Sequence, residues 1–185
     1  MTRIILASKS PRRRELMELL HIPFEVIVSD IDEQIDYTND LVKEIEKLSF
    51  QKAQAVFKDH SDALVIGSDT IVKIGNDVLG KPKNIEDAKA MLKELSDNTH
   101  QVVTGVTILY KDKAETFSSV ADVTFYPLSD EEIDAYVATN EPMDKAGSYA
   151  IQGDAAKFIR SIHGDYYTIV GLPIAELYHR LKKYL

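Results

Sequence analysis

Ile4-Ile-Leu-Ala-Ser-Lys-Ser-Pro-Arg-Arg-Arg-Glu15 decides more about this chain than any other stretch. An apolar run, read as a strand over 3–7, stops at Ala7. Ser10 is a natural N-cap, and Pro11 falls at the first helical position, where its fixed φ and missing N–H cost nothing. Arg12, Arg13 and Arg14 then fill the first turn. That is electrostatically backwards, because a helix N-terminus is the positive end of the dipole and favours Asp or Glu. One account is an anion held among N–H groups, hydroxyls and guanidinium forks, a setting suited to a phosphate chain. The other is a solvated basic turn. On the dipole argument alone, removing Arg12 or Arg13 leaves folding intact or slightly improved.

Outward from this strand and helix, the pattern alternates. The sequence predicts helix 11–20, strand 24–28, an acidic loop Asp30-Ile-Asp-Glu33 and a long helix 40–58 with Leu41, Ile45, Leu48, Ala53 and Val56 on one face. Residues 63–67 read as a buried strand. Strands 70–74 and 77–79 meet at Gly75-Asn76, a hairpin turn. Helix 86–95 follows, then strands 101–110 and 115–125, which alternate and are expected to pair. Ser129-Asp-Glu-Glu132 is a capping box before helix 130–138. Gly171-Leu-Pro173 opens a terminal helix running to about 184. No linker, repeat or low-complexity tract divides the chain. The expectation is one α/β domain, 1–185, with a mixed sheet flanked by helices and splayed into two lobes around a cleft.

Composition narrows the function. The chain has 185 residues, 44% apolar and 28% charged, as a soluble globular protein has. Its net charge of −8 argues against stable nucleic-acid binding and makes the local arginine cluster stand out. It contains no cysteine, which excludes disulfides, thiolate catalysis and cysteine-bound zinc. No apolar stretch approaches membrane-span length and no signal-peptide core is present, so the chain reads as soluble and cytoplasmic.

Gly67-Ser-Asp-Thr70 places Asp69 straight after the buried residues Val65 and Ile66. A carboxylate at a strand end in an α/β fold often faces the ligand crevice, where it binds a divalent metal or activates water; it is also common as a turn or cap residue. Gly75-Asn-Asp-Val-Leu-Gly-Lys81 matches the first seven positions of a Walker A loop, but the eighth is Pro82, which has neither the hydroxyl nor the N–H that the loop needs. A P-loop is therefore rejected, and Lys81 stands as a phosphate contact in its own right. Glu141-Pro-Met-Asp144 through Gly153 mixes glycine, charge and aromatic residues without helical or strand period, as structured functional loops and ordinary connectors both do. The five histidines show no metal-ligand spacing.

Ser8-Lys-Ser-Pro-Arg-Arg13, Gly67-Ser-Asp-Thr70, Gly80-Lys-Pro82, Asp144-Lys-Ala-Gly147, Ile151-Gln-Gly153 and Gly171-Leu-Pro173 occur in this order. Together they resemble the Maf family, and the resemblance runs from Ile4 to about Leu181. It implies a fold similar to the inosine triphosphate pyrophosphatases. It also implies cleavage of a nucleoside triphosphate into monophosphate and pyrophosphate with a divalent metal, magnesium or manganese. The family is often dimeric; the resemblance allows a homodimer, for which no residue pattern here speaks. Arg12, Thr70 and Gln152 stand at the positions that separate substrate branches, and they look like the dTTP/UTP branch. The 7-methyl-GTP branch tends to carry an aromatic, a Gln and a Glu there. The difference is physically sensible, since a cationic base suits an aromatic face and a carboxylate, whereas a neutral pyrimidine edge suits an amide.

On this resemblance Asp69 binds the metal, helped by Glu33, and orients or deprotonates the attacking water. Arg13, Lys52 and Lys81 neutralise phosphates, and Ser8 with the helix N–H groups holds the chain. Without the family Lys52 would read as a surface lysine and Glu33 as a solvated acid. Two alternatives stand beside it: 7-methyl-GTP hydrolysis, and a non-catalytic nucleotide-binding regulator of cell division. A pure binder has no use for Asp69 beside its anion, which favours the enzyme.

Overall fold

Residues 2–28, 30–36 and 40–185 are described by the structure, a computed structural model. The chain divides into two compact units, one of residues 1–70, 104–119 and 171–185, the other of residues 71–103 and 120–170. Its strands are β1 (Ile4–Ala7), β2 (Glu25–Val26), β3 (Leu64–Ile74), β4 (Asp77–Leu79), β5 (Thr99–Tyr110), β6 (Lys113–Phe125) and β7 (Ile159–His163). Its helices are α1 (Pro11–Glu18), α2 (Leu41–Phe57), α3 (Ile85–Leu95), α4 (Asp130–Val137), α5 (Tyr166–Val170) and α6 (Ile174–Leu181). The strands form one sheet in the order β2-β1-β3-β5-β6-β7, with β4 paired to β3. The sheet is mixed: β1 runs parallel to β2 and β3, whereas β3–β4 and β6–β7 are antiparallel.

In the first unit, β1 is buried throughout and pairs residue for residue with β3, from Ile4 with Leu64 to Ala7 with Gly67. Such a doubly covered parallel pair is why both strands read as continuous apolar runs. The chain leaves β1 through α1 to reach β2 on one side, then returns through α2 to β3 on the other. That reversal is a topological switch point, and open α/β sheets bind ligands at the carboxyl ends of the strands there. Ile5, Ala7, Ala53, Val56, Ala63, Val65 and Leu109 form a core under α2. The helix lies against the strands backbone to backbone. A Cβ on Gly67 would stand 2.3 Å from the Ser49 carbonyl oxygen, and one on Gly105 2.7 Å from that of Ile45.

The second unit packs α3, α4 and the Glu141–Phe158 segment around Leu92, Leu95, Phe125, Tyr136, Tyr149 and Phe158. The Glu141–Gly153 stretch, which shows neither helical nor strand period, forms 3₁₀ turns at Glu141–Asp144 and Ala146–Ser148, and a third follows at Asp154–Phe158.

Several expected boundaries move. The strand expected over 24–28 shortens to Glu25–Val26, both exposed at a sheet edge. The separate strands 63–67 and 70–74 are one continuous β3, because parallel pairing with β1 hands over to the β4 hairpin without a break. The terminal helix ends at Leu181. Strand β7 has no counterpart in the sequence reading; an exposed edge strand carries little apolar alternation to reveal it. The Ser10 cap, Pro11 at the helix start and the Ser129–Glu132 capping box occur as read.

Candidate active site

The first unit gathers most of the singled-out residues where β1 ends. Asp69 is not at the end of β3 but inside it, two residues past Gly67, the last residue paired to β1. The strand end that matters is that of β1, and Asp69 occupies the edge it vacates. Successive residues of a strand face opposite ways. Gly67 and Asp69 turn to α2, whereas Ser68 and Thr70 turn to Gly171 and Arg13.

On the α2 side, Lys52 donates to Asp69 Oδ1 at 2.6 Å and stands 2.9 Å from Glu33 Oε1. Lys52 and Asp69 are nearly buried and Glu33 is half exposed. The close seating of α2 over Gly67 brings the lysine this near. The same helix anchors the loop that carries Glu33, since Glu44, buried on α2, accepts from the Asp36 N–H at 3.2 Å. Asp40 caps the helix by accepting from Val42 N–H.

On the other side, Arg13 Nε donates to the Gly171 carbonyl at 2.8 Å, and Nη2 to Thr70 Oγ1 at 2.9 Å. Nη1 lies 3.5 Å from Ser8 Oγ. Gly171 takes φ +127°, a conformation open to glycine, which turns its carbonyl to Arg13 and also to Ser68 Oγ at 3.2 Å. Thr70 Oγ1 is bonded in turn to Thr104 Oγ1 at 2.8 Å. Burial draws the Arg13 pKa below the ordinary guanidinium value; Asp69 opposes that, Arg12 adds to it and Glu33 opposes it. The two sides therefore feel one another's charge.

The three arginines part company. Arg14 pairs with Glu18 on the solvent face at 3.1 Å, so the solvated account is right for it. Arg13 turns into the network and Arg12 is half-buried. Lys81 and Gln152 belong to the second unit and are exposed. Sequence reasoning missed Glu44, Ser68 and Thr104. Ser68 falls between the expected strands 63–67 and 70–74, inside the Gly67–Thr70 motif but with no role of its own; Thr104 falls within the expected strand 101–110 and Glu44 within the expected helix 40–58.

The arrangement offers a carboxylate held by an ammonium, a second carboxylate on the same ammonium, and an adjacent guanidinium tied to two hydroxyls. That set suits an anion whose charge must be neutralised while a water loses a proton. Among the described residues no helix is long and apolar enough to cross a membrane.

The family model described as "Maf-like protein" matches residues 3–184. A protein of Bacillus cytotoxicus named dTTP/UTP pyrophosphatase is 50% identical over 184 residues, covering 100% of this chain and 96% of that protein. One of Bacillus anthracis with the same name is 52% identical with the same coverage. The structure of the Staphylococcus aureus Ham1 protein aligns at 16% identity with a TM-score of 0.49, covering 85% of this chain and 91% of that one.

Proposed function

The chain belongs to the Maf family, and from that premise we propose that it is a nucleoside triphosphate pyrophosphatase acting on dTTP and UTP, a house-cleaning enzyme of the cytoplasmic nucleotide pool. The observation that carries this reading is Lys52 bridging Asp69 and Glu33 beside the Arg13 network at the end of β1. In this reading residues 1–185 are one catalytic domain.

The donor set fits magnesium or manganese. Two carboxylates already converge on one cation, the Lys52 ammonium, and hard divalent ions take one or two carboxylates together with substrate phosphate oxygens. Asp69 and Glu33 would hold the ion. When bound, it withdraws charge from phosphate oxygens and makes a water ligand more acidic.

Asp69 accepts the proton of the water that attacks the α-phosphorus, and Lys52 holds that carboxylate in place. The new oxygen–phosphorus bond forms as the bond to the β-phosphate breaks, so monophosphate and pyrophosphate leave. Arg13, Lys52 and Lys81 neutralise charge on the leaving group, and Ser8 with the first-turn N–H groups of α1 holds the phosphate chain. Arg12, Thr70 and Gln152 select the base. The Gln152 amide offers both a donor and an acceptor to a pyrimidine edge. Thr70 does so as a member of the Arg13–Thr104 network.

A panel of canonical and modified triphosphates, with magnesium or manganese, tests this. Pyrophosphate with dTTP and UTP preferred is expected, and Gln152→Glu should cut pyrimidine turnover. Orthophosphate as first product overturns the α-phosphorus mechanism. Preference for 7-methyl-GTP overturns the branch, and tight binding without turnover leaves a regulatory module. Sedimentation of the same preparation decides the homodimer the family allows.

A further inference from the structure

Gln152 is exposed, yet the backbone around it is pinned from a second segment that the reaction does not use. The Gly153 N–H donates to the Ala150 carbonyl at 3.0 Å, closing a turn around Ile151 and Gln152. Glu141 then fills the space beside that turn. Its Oε1 accepts from the Asp154 N–H at 3.2 Å. A Cβ on Gly153 would lie 2.0 Å from Oε1 and 2.5 Å from Cδ. Gly153 has φ −103° and ψ −154°, an extended conformation open to any residue, so glycine is required there for room rather than for backbone freedom.

Glu141 is itself held. Lys145 Nζ donates to the Glu141 carbonyl at 3.0 Å and to Asp144 Oδ1 at 2.7 Å, tying down the turn on which the carboxylate sits. Tyr136, whose hydroxyl accepts from Ala150 N–H at 3.3 Å, feels the same carboxylate: burial first, then Glu141, pushes its pKa up. The carboxylate is thus buried between the Tyr136 hydroxyl and the Asp154 N–H, and a carboxylate is a good group for gripping a backbone N–H.

We propose that Glu141 is a positioning residue for base selection. By holding Gly153 and Asp154 it fixes the backbone on which Gln152 stands, so that the Gln152 amide meets the base in one orientation. The inference rests on the reading above in which Gln152 contacts the base. An amide on an unpinned loop would sample many orientations and lose discrimination, not chemistry.

The test measures kcat and KM for UTP and GTP, with melting temperatures, in wild type, Gln152→Ala, Glu141→Ala, Glu141→Gln and Gly153→Ala. Glu141→Ala should lower the UTP-to-GTP ratio of kcat/KM about tenfold, chiefly through KM for UTP. Glu141→Gln keeps an acceptor oxygen for the Asp154 N–H and should restore most of the ratio. Gly153→Ala pushes the flexible carboxylate aside without removing it, so it should reproduce the loss; it also gives the answer if Glu141→Ala does not fold. If Gln152→Ala loses selectivity while folded Glu141→Ala and Gly153→Ala keep the wild-type ratio, the positioning role is overturned and the base reading stands. An equal fall for both nucleotides makes Glu141 merely structural and overturns the proposal. If Gln152→Ala keeps the ratio, the base reading fails and the proposal falls with it.

Discussion

The two units bury polar groups in opposite ways. The first buries Ser8, Glu44, Ser49, Ser68, Asp69, Thr104 and Thr107 close to its strands, and joins them through short hydroxyl and ionic bonds such as Ser49–Thr107 at 2.8 Å and Lys52–Asp69 at 2.6 Å. The second is built on rings. Phe125 packs edge-on against Tyr149 and His100, with centroids 4.9 and 5.2 Å apart, and Tyr136 meets Phe158 at 5.3 Å. Its buried imidazole is bonded to Tyr149 Oη at 2.6 Å, and its other ring nitrogen has no partner among the described residues. In the first unit the buried carboxylate of Asp69 is thus kept beside an ammonium. In the second, the deeply buried titratable groups, His100 and Tyr149, are held neutral. A site that must handle a polyphosphate needs the first arrangement, while a rigid frame for a loop needs the second.

The hardest blow to that contrast is Asp69→Asn. On the roles proposed for Asp69, turnover with metal should fall about a thousandfold or more, because proton acceptance and metal placement would vanish together. Lys52 keeps Glu33 as a partner, and asparagine keeps an acceptor oxygen, so the melting temperature should barely move. Near-normal turnover in the folded variant would take Asp69 out of the mechanism.

Arg13→Ala should cost about a hundredfold in kcat/KM, the scale for one lost donor to a developing negative charge. Here the structure changes the stability expectation. The dipole argument alone has the variant folding as well or better, but Arg13 also holds Gly171 and Thr70. Relief of the helix end is set against lost hydrogen bonds, and a loss of about 1 kcal/mol is expected, read by chemical unfolding.

His100 probes the other unit. Burial lowers its pKa from 6.5 to about 4, with the Asp122 charge opposing. Between those values the unfolded chain takes up a proton that the folded chain refuses. Stability is therefore fully present above pH 6.5 and is lost as the pH falls toward 4. Relative to neutral pH, wild type at about pH 5 should lose roughly 2 kcal/mol more than His100→Leu. Parallel losses in the two proteins would mean that the imidazole is not held neutral.

The smallest effect sharpens the comparison within one helix turn. Arg14→Ala removes an exposed pair with Glu18, and such pairs contribute little. Turnover and melting temperature should match wild type, in contrast to its neighbour Arg13; a clear loss of turnover would place Arg14 in the site.

The sequence by itself determined the alternation of strands and helices, the Ser10–Pro11 helix start, the capping box at Ser129 and, through six ordered motifs, the family. These are local or linear signals: a cap needs only its own first turn, and a motif only its spacing. What it left open was which arginine faces the site, whether Lys52 is a surface residue, and where Asp69 stands relative to a strand end. Those depend on neighbours 17 to 158 positions away in the chain, as in Lys52–Asp69 and Arg13–Gly171. Only the tertiary structure decided them. The close approach of α2 over Gly67, the left-handed turn at Gly171 and the early end of β1 beside β3 come from packing and pairing between distant segments, and no periodicity along the chain records such contacts.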